Sequence, residues 1–191
     1  MTIDGFKIRQ DLYRMLTQAE VDLEMWLAMR QARSSDDVVT MLNRGYGRFY
    51  MAAENALLNS MITILYAVFE VNKKSVNFWR LKDSLADCIT SAKLDELEIT
   101  YATIKQTWRK ISVIRNEVVG HQALERNASE SHEIAGLTID HLKQMVVSCQ
   151  ELLSRIATEF HNTHIVFNIK GTASFDRLMS DLRAFHDGKR R

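Results

Sequence analysis

Proline is absent from all 191 residues, and glycine occurs only seven times. A chain of this length with no residue that breaks helices and few that serve tight turns predicts an all-α protein, a bundle of about six helices. Cysteine is nearly as scarce. Cys88 and Cys149 lie far apart with no CxxC spacing, which argues against a cysteine metal centre and predicts reduced thiols in a cytoplasmic protein. An excess of either charge is also missing, since 25 Lys+Arg against 24 Asp+Glu leave +1. The bulk field therefore neither repels nor recruits an anionic polymer or a membrane surface, and any nucleic-acid site has to be local. Long apolar runs are lacking too. Met61 to Phe69 (MITILYAVF), bracketed by Asn59, Ser60 and Glu70, is about half of the roughly 20 residues a membrane span requires, so no membrane partner is expected. The opening MTIDGFKIRQDLYRML has no basic segment, apolar stretch and cleavage site of a secretory signal, so export by that route is not expected. Phosphate loops, GxGxxG, GxSxG and HExxH are absent, and no cofactor is expected.

What is present is 46% hydrophobic and 26% charged residues, the balance of a soluble globular chain with one cooperative core, read as a single domain over residues 1–191. Residues 7–33 repeat apolar positions at helical spacing, and Ser34 to Asp37 then supply N-cap candidates for a second helical unit from about Val38 to Val71, with a possible break at Gly45 and Gly47. Its middle, with Ile62, Leu65 and Phe69, is apolar nearly all round and should be the most buried element. A third helix is expected from about Val76 to Ile89 and a fourth from about Lys93 to Val119. A polar loop follows over 122–137, then a fifth helix over 138–160 and a last one from about Ala173 to Phe185. Residues 164–169 (HIVFNI) read as a short extended piece, and Lys189 to Arg191 as a solubilising tail.

The fourth helix carries Leu97, Tyr101, Ile104, Trp108 and Ile111 at alternating steps of four and three, and the next position on that stripe is Arg115. An arginine on an apolar stripe costs desolvation unless an anion meets it. Two partners fit: a carboxylate of the bundle, such as Glu54 or Glu70, or the phosphate of a ligand. His121 has two readings as well, a cap on the carbonyls at a helix end or a proton-transfer group, because its ordinary pKa is close to neutrality.

The segment Arg115 to His121 (RNEVVGH) combines an arginine, a polar amide and a histidine with five residues between the charged pair. In this setting the chain resembles the HEPN superfamily of small helical proteins, and within it the abortive-infection (AbiU-type) branch. The long helices before the motif, the FWRLKDSL segment upstream and the helix after a polar loop extend the similarity over about residues 7–162. The resemblance implies a HEPN-like fold and metal-independent cleavage of RNA, acting as a toxin or in antiviral defence. In that chemistry His121 helps remove the 2′-hydroxyl proton, Arg115 holds the scissile phosphate and Asn116 orients the histidine or a phosphate oxygen. The nucleophile is RNA's own 2′-hydroxyl, so DNA should be inert. A neutralising antitoxin protein is the partner such a toxin implies.

On an ideal helix, residues six apart are separated by roughly 9 Å along the axis and about 120° around it. One chain would close poorly on a single phosphate, which predicts a homodimer that brings both copies of the motif into one cleft. Lys105 and Arg109 share a flank with Asn116, and residues 104–126 hold five Lys/Arg against two Asp/Glu, a candidate RNA-binding patch or else a solvated face. His161 and His164 form an HxxH with no third ligand nearby, a weak basis for a metal site. The alternative to a ribonuclease is a non-catalytic HEPN-like module that binds nucleotides or proteins, and beyond that a purely structural bundle.

Overall fold

The computed structural model describes residues 3–72, 74–85, 90–120 and 135–188. Among them the protein is all-α, with no strand. Six helical stretches follow one another: α1 (Ile3–Ala32); α2 (Asp36–Met41) joined through a π-wound turn, Leu42–Tyr46, to α3 (Gly47–Ala67); α4 (Phe78–Asp83); α5 (Ser91–Ile114), which continues as a π-wound segment, Arg115–Gly120; α6 (Ile139–His161); and α7 (Thr172–Gly188). The predicted third helix is shorter than its apolar pattern suggested. α4 ends at Asp83, with the N–H of Ser84 on the Arg80 carbonyl at 3.0 Å, and residues 86–89 lie outside the described part. Most of the predicted 122–137 loop lies outside it too.

The chain forms two compact units, one made of the residues up to Ala19 with Ile62–Phe167, the other of Glu20–Met61 with Asn168–Arg191. In the first unit Leu12 and Leu16 of α1, Ile62 and Leu65 of α3, Ile111 of α5 and Leu153 of α6 are fully buried. Phe69, just past α3, is sealed between Phe78 at 5.2 Å and Tyr101 at 4.9 Å, centroid to centroid. Helix α4 starts where Asn77 accepts the Arg80 N–H at 2.8 Å while its amide donates to the Asn72 carbonyl at 2.9 Å, so one fully buried side chain both caps the helix and fastens the preceding link. Helix α6 opens with a reciprocal cap between Thr138 and His141. It closes at Asn162, the one non-glycine residue with a left-handed backbone among those described, at φ 45°. Residues 162–170 then run on without regular structure.

In the second unit Met29, Val38, Met41, Leu42, Tyr50, Phe175 and Met179 form the core. The Tyr50 hydroxyl donates to the Met29 carbonyl at 2.7 Å, and burial together with the nearby Glu54 charge pushes its pKa up to about 12. Gly45 breaks the second helical stretch at the predicted place. Its φ of 133° lies in a region that L side chains rarely adopt. Glu54 is also here, its carboxylate 3.0 Å from Arg33 and 4.0 Å from Arg30.

Candidate functional site

Helix α5 is positioned by Ile104, Ile111 and Ile114, all buried on one side. Where that face reaches Arg115 the winding loosens from α to π and stays so through Gly120. A π turn bonds each residue to the fifth one along rather than the fourth, and such turns are frequent at functional sites. The ideal-helix separation between Arg115 and His121 therefore does not carry over unchanged. His121 itself lies outside the described residues.

Arg115 sits half-buried on the predicted stripe, and its charge is met by neither of the two carboxylates weighed from the sequence. Glu54 is engaged by Arg33, and Glu70 accepts the Tyr66 hydroxyl at 3.4 Å. Among the described residues Arg115 makes no ion pair. Its guanidinium carbon instead lies 4.7 Å from the centre of the Tyr66 ring, and one of its nitrogens donates to Oδ1 of Asn116 at 3.0 Å. Tyr66 is itself fixed from below: it stacks on Trp108 with centroids 5.6 Å apart and planes at 21°, and the Trp108 indole N–H donates to the Tyr66 backbone carbonyl at 2.8 Å. Burial and the Glu70 charge push the Tyr66 hydroxyl pKa up, while Arg115 pulls it down. A guanidinium on a π face keeps most of its five donors for another partner, and a ring below holds it in plane.

Lys105 reaches the same aromatic pair from its Trp108 member, with Nζ 5.9 Å from that ring and 5.7 Å from Tyr101. Arg109 is exposed and joins neither the stack nor an ion pair among the described residues. Asn116 is exposed, and its carbonyl oxygen is committed to Arg115, which leaves its amide N–H groups as donors. The structure thus draws together Arg115, Asn116 and Lys105 through Tyr66 and Trp108, and leaves Arg109 apart. Trp108 stood on the sequence stripe seven residues before Arg115, but as a packing residue. Tyr66, 42 residues earlier, carried no signal that could have connected it with Arg115.

His161 and His164 fall on either side of the end of α6, as their spacing indicated, and no group of three metal-ligating side chains occurs among the described residues. No helix there is long and apolar enough to cross a membrane.

No curated protein and no solved structure matches the chain. A family model does: that of AbiU2, a HEPN family, matches residues 7–183, which takes in every element from α1 into α7 and the whole Arg115–His121 segment. With that match and an all-α fold, the chain belongs to the AbiU2 family of HEPN proteins.

Proposed function

We propose that this protein is a metal-independent endoribonuclease of the HEPN type that acts as a toxin in abortive infection, using Arg115, Asn116 and His121 from two copies of the chain in a common cleft. The observation that carries the reading is the state of Arg115: a half-buried guanidinium, seated on Tyr66 and braced by Asn116, with no carboxylate paired to it among the described residues. Such a group pairs bidentately with a phosphate and stays charged at any physiological pH. In the proposed reaction His121 takes the proton of the RNA 2′-hydroxyl as that oxygen attacks the adjacent phosphorus. The bond to the 5′-oxygen breaks, that oxygen takes up a proton, and the products are a 2′,3′-cyclic phosphate and a 5′-hydroxyl. Arg115 offsets the charge that builds on the phosphoryl oxygens, and Lys105 and Arg109 supply further positive charge along the backbone of the substrate.

The test is incubation of purified protein with mixed RNAs in the presence of a chelator. Cyclic-phosphate ends should accumulate with the wild type, and their formation should fall at least a hundredfold with His121→Ala. Binding of RNA or nucleotides without any cyclic ends would instead support the non-catalytic module.

A further inference from the structure

Arg9 of α1 is a second arginine with no counter-charge among the described residues, and it is more buried than Arg115. It is only 5% exposed, and its Nη1 is fully enclosed with no hydrogen-bond partner. The Phe6 ring lies 4.8 Å from the guanidinium carbon, and among the described residues no carboxylate lies within ion-pair distance. Asp11, two residues on, is taken by Arg14 at 3.1 Å, and Glu159 on α6 is taken by Arg155 at 2.8 Å. Beside Arg9 stands His161, with both ring nitrogens buried and unpartnered. Burial and the Arg9 charge hold its pKa below the ordinary histidine range. Two adjacent cationic or protonatable groups with enclosed, unsatisfied nitrogens are costly to a fold unless an anion nearby offsets them.

The chain builds a cleft at this point. Asn162 turns the backbone at the end of α6, and the N–H groups of Asn162 and Thr163 both reach the Ala157 carbonyl. The next residues are held along α1, because the Tyr13 hydroxyl donates to the Val166 carbonyl at 3.3 Å and its ring packs 5.1 Å from that of Phe167. Between them opens a cavity of about 210 Å3, lined by Arg9, Gln10, Tyr13, His164, Ile165 and Val166, with no acidic side chain among the described residues.

We propose that this cleft binds a phosphate group, gripped by Arg9, with Gln10 and His164 as further donors and His161 beside it. A tetrahedral oxyanion can accept from several directions at once, and its charge near neutrality reaches almost two. A carboxylate carries a single charge and presents its acceptors in one plane, so it would answer fewer of the donors around the cavity. The cavity is smaller than those that enclose drug-sized ligands, about 300 Å3 upward, so it takes the phosphate and part of a sugar rather than a whole nucleotide. The phosphate can come from a free metabolite or from the 5′-phosphate end of an RNA. The site does not depend on cleavage at Arg115 and His121.

Calorimetric titration and thermal melting of the full chain with inorganic phosphate, against acetate at matched ionic strength, test the proposal. Phosphate should bind and raise the melting temperature, acetate should not, and Arg9→Met should weaken phosphate binding at least tenfold. In phosphate-free buffer the same variant should melt at or above the wild-type temperature, because an uncompensated buried charge has been removed. His164→Asn, at an exposed position, should weaken binding at least threefold. A 5′-phosphorylated trinucleotide that binds at least tenfold better than its 5′-hydroxyl form and displaces inorganic phosphate would identify RNA ends as the source, and equal binding of the two forms, with inorganic phosphate still bound, would identify a free phosphate. Equal effects of acetate and phosphate on the wild type would overturn the site. So would an Arg9→Met protein that is destabilised yet keeps its response to phosphate.

Discussion

The Arg115 guanidinium rests 4.7 Å above the Tyr66 ring, and that ring stacks on Trp108 at 5.6 Å. The cation is thereby held by a π surface and a neutral amide, neither of which neutralises it. Arg115→Lys keeps the charge but loses the planar fork and its fit on the ring. Cleavage of RNA should drop more than tenfold, while the melting temperature moves little, since an interaction of this kind contributes only about 0.5–1 kcal/mol at a partly exposed site. Parallel melting and cleavage assays on the one variant check this. A loss of stability in proportion to the loss of activity would leave Arg115 as a structural residue.

A composite site needs two chains. Light scattering at tens of micromolar should give a dimer, and the dimer interface should include the end of the fourth predicted helix, near Gly120. A monomer at that concentration would remove the shared cleft from the proposed mechanism.

Phe69 tests the core of the first unit. It is fully buried and touches both Phe78 and Tyr101, so Phe69→Ala removes a large side chain from a place with little room to collapse. The expected cost is about 3–5 kcal/mol, measured by denaturant unfolding.

His161 gives the acid limb of stability a direction. Its pKa in the folded chain is lowered by burial and by Arg9, so below the ordinary value of about 6.5 the unfolded chain takes up a proton that the folded chain does not. Stability should be at its plateau above that pH and fall as the pH drops toward the lowered value. Unfolding curves between about pH 7 and 5 read the slope, which His161→Gln should flatten.

At Gly45 backbone geometry dictates the residue. At φ 133°, with open space where a Cβ would sit, Gly45→Ala meets no clash but still strains the chain. A loss of about 1–3 kcal/mol is expected in thermal or chemical unfolding.

Much of this architecture is legible without coordinates, because helices announce themselves by period and by caps. Thr138, the Gly45 break and the burial of Ile62, Leu65 and Phe69 all follow from local pattern. The π winding from Arg115 onward does not, since a one-residue widening of the turn leaves the apolar stripe before it unchanged. Nor was Arg115's neighbour legible. A carboxylate is what electrostatics suggests for a lone arginine, and the fold supplies an aromatic ring from 49 residues earlier in the chain, a contact that only tertiary packing creates. Arg9 was hidden for the opposite reason: on the polar-looking start of α1 nothing marks it as buried until the turn at Asn162 lays residues 164–166 over it.

Cys149 sits in the middle of α6 with no exposed surface, and burial pushes its thiol pKa far above the ordinary range. The reactive form of a cysteine is the thiolate, so an alkylating reagent finds nothing to attack while α6 stays packed. Each modification at this position therefore records one opening of the first unit. The protein carries a built-in clock for its own breathing, and the labelling rate at that single sulfur, resolved from Cys88 by peptide mass, reads the time.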